Sequence, residues 1–135
     1  KIAVIPPRII FSADSTEPYF VALVTNNLKP MYVKEMQNAF SSLNEDEFAT
    51  QKLTSTFVQF QEGVYIVWIG AFENAQKSKI YLNRIKPRLK REIISFVSDK
   101  QYEIYLISKP NILLIKNMED LQLYKDFMLN KIYKP

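Results

Sequence analysis

LTSTFVQFQEGVYIVWIGAF, residues 53–72, contains two runs rich in β-branched and aromatic residues on either side of Glu62-Gly63. Such runs favour extended backbone, and a two-residue break ending in glycine closes a tight hairpin. The stretch therefore predicts a second strand over Leu53–Gln61 and a third over Val64–Phe72. The third strand, VYIVWIGAF, is apolar on both of its alternating faces. A strand with one face in water should instead alternate apolar with polar side chains.

Outward from this hairpin, YFVALVT at Tyr19–Thr25 predicts the first strand. Pro30 suits the first turn of a helix, where a missing N–H costs nothing. Val33, Met36, Phe40 and Leu43 follow at spacings of three and four, so they share one helical stripe. The spacing predicts that this helix ends near Asn44, ahead of an acidic loop at Glu45, Asp46 and Glu47. After the third strand, Asn74 is a good N-cap for a second helix with Ala75, Leu82 and Ile85 facing the core. Pro87 should end it and start a short piece whose stripe is Leu89, Ile93 and Phe96. Tyr102–Ser108 reads as the fourth strand, and Pro110–Ile115 as a helical turn. Asn117 caps a last helix, with Glu119 and Asp120 in its first turn and Leu121, Tyr124, Phe127 and Met128 inward.

The order is βαββαβ with a helical tail. Right-handed crossovers then place both main helices on one face of a four-stranded antiparallel sheet, a ferredoxin-like α+β fold. We expect this domain over residues 19–135. Residues 1–18 read as a leader, with a short edge strand at Ile2–Ile5 ended by Pro6 and Pro7, then a polar linker at Ser12–Pro18. The sequence begins at Lys1, which suggests a piece of a longer precursor.

The doubly apolar strands call for a cover on the second sheet face. The leader or the C-terminal helix folding back would serve; so would a partner domain, a second copy or a ligand. We read Trp68 as a core anchor facing the helices, with Gly70 allowing close approach of a helix. The exposed partner-binding positions are then Tyr19, Val21, Tyr65 and Val67. If Trp68 faces away, the assignment inverts to Phe20, Ile66 and Trp68.

The 135 residues are 47% apolar and contain neither histidine nor cysteine. The apolar content is ample for a buried core. Ser-His and Cys-His nucleophile pairs, thiolate metal sites and disulfides are all excluded. Two glycines, Gly63 and Gly70, are too few for a phosphate-cradling loop. Glu45, Asp46 and Glu47 are most simply solvated. We therefore expect no enzyme and no cofactor. The net charge of +4 permits weak attraction to anions. Its densest basic run, Lys86, Arg88, Lys90 and Arg91, reads as a solvated helix face. An RNA-stacking sheet needs a basic residue and aligned aromatics on its third strand. This strand has no Lys or Arg, and Tyr65 and Trp68 fall on opposite faces, so nucleic acid is not expected as a partner. No apolar run is long enough to cross a bilayer, so this domain should not insert directly into a membrane.

Two resemblances enter on particular segments. YIVWIGAFENAQKSKIYLNRI at Tyr65–Ile85 resembles the third strand and second helix of SPOR domains, a strand ending in Gly-small-Phe before a capped helix. A longer pattern over about Glu17–Tyr133 resembles the C-terminal domain of a tetratricopeptide-repeat lipoprotein family of Bacteroidetes, associated with gliding motility and type IX secretion. Its carrying segments are EPYFVALV, KEMQNAFSSLNEDEF, VWIGAFENAQKSKIYLNRIK and YEIYLISKPNILLIKNMEDLQLYKDFM. The basic run at 86–91 departs from the polar loop expected there. The second resemblance implies a periplasmic, non-enzymatic module at the end of a repeat protein tethered to the outer membrane, with protein partners in a cell-envelope complex. The SPOR resemblance implies the alternative, a domain binding peptidoglycan glycan strands. Neither supplies binding residues.

Overall fold

The computed structural model describes residues 9–131. The expected strand at Ile2–Ile5 lies outside them. Four strands form one antiparallel sheet: β1 (Tyr19–Asn26), β2 (Thr54–Gln61), β3 (Val64–Phe72) and β4 (Tyr102–Ser108), in the order β2-β3-β1-β4. The helices are α1 (Pro30–Glu47), α2 (Ala75–Ile85), a single turn α3 (Lys109–Ile112) and α4 (Met118–Lys131). This is the expected ferredoxin-like α+β arrangement with a C-terminal helix.

The hairpin and caps form for the reasons read from sequence. Gly63 adopts φ +78, the left-handed region that glycine enters without steric cost. Asn74 Oδ1 accepts from the Lys77 amide at 2.9 Å, and Asn117 Oδ1 accepts from the Asp120 amide at 2.8 Å. Asp120 reciprocates by accepting from the Lys116 amide, so the start of α4 is pinned from both sides.

Strand parity assigns the two sheet faces. Val21, Leu23, Val67, Ile69 and Leu106 point toward α1 and α2, where Val33, Met36, Phe40, Leu82 and Ile85 meet them in one buried cluster. Burying each such side chain contributes about 1.5–3 kcal/mol. Ala22, Val24, Ile66, Tyr105 and Ile107 point the other way, into a second cluster with Leu121, Tyr124 and Met128 of α4. Both covers proposed from the sequence are present. Phe11 packs edge-on against Tyr124 at 5.2 Å, and Ser12 exchanges two hydrogen bonds with the buried Asn111 amide. Residues 9–18 thus lie against the sheet domain.

Three details differ from expectation. Helix α1 runs through the acidic residues to Glu47 instead of ending near Asn44. Asn44 is buried there and its Oδ1 accepts from the Tyr81 hydroxyl at 2.6 Å, while Glu47 is held by Arg88. After α2 the chain makes a tight turn and then a wide one over Leu89–Ile93, closed by the Ile94 amide donating to the Leu89 carbonyl at 2.8 Å. This wider turn rotates the stripe: Leu89, Ile93, Ile94 and Val97 are buried and Phe96 is 44% exposed. Finally, Gly70 makes its close approach to an aromatic ring and not to a helix. A Cβ at Gly70 would lie 2.6 Å from Phe20 Cδ2 and 3.0 Å from Cγ.

Because ring carbons next to the backbone cannot move far, Gly70→Ala should destabilise the fold by about 1–3 kcal/mol. Adding Phe20→Leu should return part of that loss, as read from denaturant midpoints of the wild type, both single variants and the pair. Simple additivity of the two single losses would mean that the ring contact is not what constrains Gly70.

Candidate functional site

The face assignment relocates the residues read as exposed. Tyr19, Val21 and Val67 are at most 1% exposed and lie in the helix-side core; Tyr65 is half-buried at its edge beside Phe57. They are corrected from surface to core positions, because Trp68 points away from α1 and α2. Under the helices the space is already filled by Tyr19, Val21, Leu23, Val67, Ile69, Phe72 and Leu106 against the inner stripes of α1 and α2. A half-exposed position on the opposite face accommodates the large indole and leaves its N–H able to reach water. The inverted set therefore describes the second face: Phe20 and Trp68 are half-buried there, while Ile66 is buried beneath α4.

The second face is only partly covered. A helix with side chains is about 10 Å across and strands lie about 4.8 Å apart, so one helix spans about two strands. Two long helices cover the first face; on the second, α4 is the one long helix, with Phe11 beside it. It is anchored at the β4 side, where the Tyr124 hydroxyl donates to the Leu106 carbonyl and Lys125 pairs with Glu103 at 2.6 Å. What stays open is the β2–β3 side. Thr56 lies directly opposite Trp68, and Val58 opposite Ile66. Val58 is 46% exposed, Thr54 and Thr56 are exposed, and Phe60 and Trp68 are half-buried against the second cluster. Phe20, Trp68, Val58 and Phe60 thus form an aromatic–aliphatic strip beside hydroxyls, and β2 is a sheet edge. Val58, Phe60 and Thr56 were not among the positions picked from the sequence. Their signal was available in the βαββαβ order, which puts the second strand at an edge.

Elsewhere several charged side chains are tied. Arg88 bonds Glu92 through two nitrogens, each at 2.7 Å, and also holds Glu47. Lys90 donates to the Val97 carbonyl and pairs with Asp99 at 3.0 Å. Arg88, Lys90 and Arg91 of the basic run are thus paired with carboxylates, and the run lies on the 3-10 and π-helical turns after α2, with Lys86, Lys90 and Arg91 exposed. A cleft of about 390 Å³ between the end of α1 and the start of β2 is lined by Ser41, Asn44, Glu45, Phe48, Lys52 and Ser55 among others. Burial pushes the Tyr81 phenol up well beyond the usual range, so it stays a neutral donor to Asn44. Among the described residues no cluster of three or more acidic side chains could hold a metal ion, and no helix is long and apolar enough to cross a membrane.

No family model, no curated protein and no solved structure matches the chain.

The hydrogen bonds from Arg88, with a weaker one from Arg91, hold the Glu92 carboxyl at about 2, below its ordinary 4.5. A carboxylate depressed on folding adds stability that is complete above the unfolded value and is lost as pH falls. The network should therefore weaken between pH 4.5 and about 2. Arg88→Gln should lower the melting temperature at pH 7 but leave it little changed near pH 2. An equal loss at both pH values would show that Arg88 acts through packing instead.

Proposed function

We propose that this domain is a non-enzymatic protein-interaction module that docks a protein partner on the open half of its second sheet face. The observation that carries the reading is the strip of Phe20, Trp68, Val58 and Phe60, half-exposed on a face otherwise buried under α4. Aromatic side chains beside an uncovered aliphatic are the usual anchors of protein interfaces. The absence of histidine and cysteine from the whole chain supports binding over catalysis. The pattern resemblance over about Glu17–Tyr133 supports a periplasmic setting, at the end of a repeat lipoprotein in gliding or secretion machinery tethered to the outer membrane. A second reading, glycan binding as in SPOR domains, is favoured by one arrangement: the Trp68 indole has the exposed Thr56 hydroxyl directly across the strand pair and Thr54 beyond it.

The test is capture of partners from a Bacteroidetes envelope extract, beside co-sedimentation with amidase-treated peptidoglycan. Val58→Glu is a surface change expected to move stability by less than about 0.5 kcal/mol. It should cut recovery of secretion or motility proteins at least tenfold, as loss of an interface anchor does. Undiminished recovery would take the strip out of the interface. Pelleting with peptidoglycan that free glycan strands compete away would replace the protein partner with the glycan.

A further inference from the structure

The cleft between the end of α1 and the start of β2 shares no lining residue with the docking strip. Its volume of about 390 Å³ falls within the roughly 300–1,000 Å³ of small-molecule sites. Asn44 borders it from the last turns of α1 and is only 4% exposed. The Asn44 Oδ1 is turned to the Tyr81 hydroxyl of α2, at 2.6 Å. Reversing the amide would leave that hydroxyl without an acceptor among the described residues, so Nδ2 takes the arm directed away from Tyr81. That nitrogen is buried and donates to nothing among the described residues. A buried N–H without an acceptor destabilises a fold, so its place beside an open cleft points to a ligand that supplies one.

The hydroxyls of the cleft can be assigned from where their protons go. Ser55 Oγ donates to the Gln37 carbonyl at 3.2 Å, so in its bond with Ser41 the proton comes from Ser41. Thr54 Oγ1 donates to the Gly70 carbonyl at 3.0 Å. With their single protons committed, Ser41 and Thr54 offer a ligand only lone pairs. Ser41 and Asn44 are three apart on α1, so their side chains are neighbours on one helix face. On the rim, Glu45 and Lys52 are exposed and opposite in sign, and neither enters an ion pair among the described residues. Those two charges cancel, and the carbonyl end of α1 disfavours an anion. We infer that this cleft binds an uncharged carboxamide, the group that ends an asparagine or glutamine side chain. Its carbonyl oxygen accepts from Asn44 Nδ2, and its N–H donates to Ser41 Oγ. A carboxamide carries acceptor and donor side by side without charge, whereas a carboxylate lacks the donor and an ammonium the acceptor. Phe48, Ala49 and Leu53 give the methylenes behind it an apolar wall. The site goes beyond the proposed docking face, and the failure of either leaves the other standing.

Titration of the isotope-labelled chain, followed by NMR at the Asn44 side-chain amide, tests it. A ligand of about a dozen heavy atoms reaches about millimolar affinity. N-acetylglutamine amide should therefore shift the Asn44 signals saturably in that range, and the corresponding glutamate compound, ionised at neutral pH, should not. Free glutamine is run beside it. A response to both assigns the site to the group itself, and a response to one form only tells a partner's side chain from a free amino acid. Asn44→Asp still offers Tyr81 an acceptor but lacks the N–H, and it should abolish binding. Ser41→Ala changes an exposed residue and leaves Ser55 bonded to Gln37, so it serves even where Asn44→Asp unfolds. It should weaken binding about fivefold, as loss of one hydrogen bond does. Asn44 signals that stay still up to about 20 mM of both glutamine probes overturn the inference. So does an equal response to the glutamate compound, or an affinity that Ser41→Ala leaves unchanged.

Discussion

The structure depends on one constraint: the two central strands, β1 and β3, are apolar on both sides. Val21, Leu23, Val67 and Ile69 need a cover on one face, and Ala22, Val24 and Ile66 need another on the opposite face. A four-stranded sheet with helices on one side alone would leave the second group in water, at roughly 25 cal/mol for each Å² exposed. Helix α4 and Phe11 answer that demand. Residues 9–18 before β1 and 109–129 after β4 are therefore integral to the fold. They are tied together through Asn111, which bonds Ser12 in both directions.

The way α4 is held decides which part of the face stays open. The helix follows β4 after one short turn, so it starts at that edge of the sheet. Tyr124 and Lys125 then fasten it to Leu106 and Glu103 of the same strand. Those bonds keep it from sliding over toward β3. The open half of the face therefore falls on the β2 side of the molecule. This follows from connectivity, because the strand order places β2 farthest from β4.

Much of this was legible beforehand. Hairpin, caps and helical stripes follow from local residue chemistry, and the strand order follows from the βαββαβ sequence of elements. The need for a second cover was also legible, since both alternations of VYIVWIGAF are apolar. Which alternation faces α1 was not. Val67 and Trp68 both suit a core by hydrophobicity, and parity is set by how the whole sheet packs on the helices, a long-range property. Assigning Trp68 inward carried Tyr19, Val21, Tyr65 and Val67 outward together, because a single choice flips every side chain on a strand. Phe96 was misplaced by a subtler cause. The five-residue turn at Leu89–Ile93 breaks the 3.6 period on which its stripe was drawn.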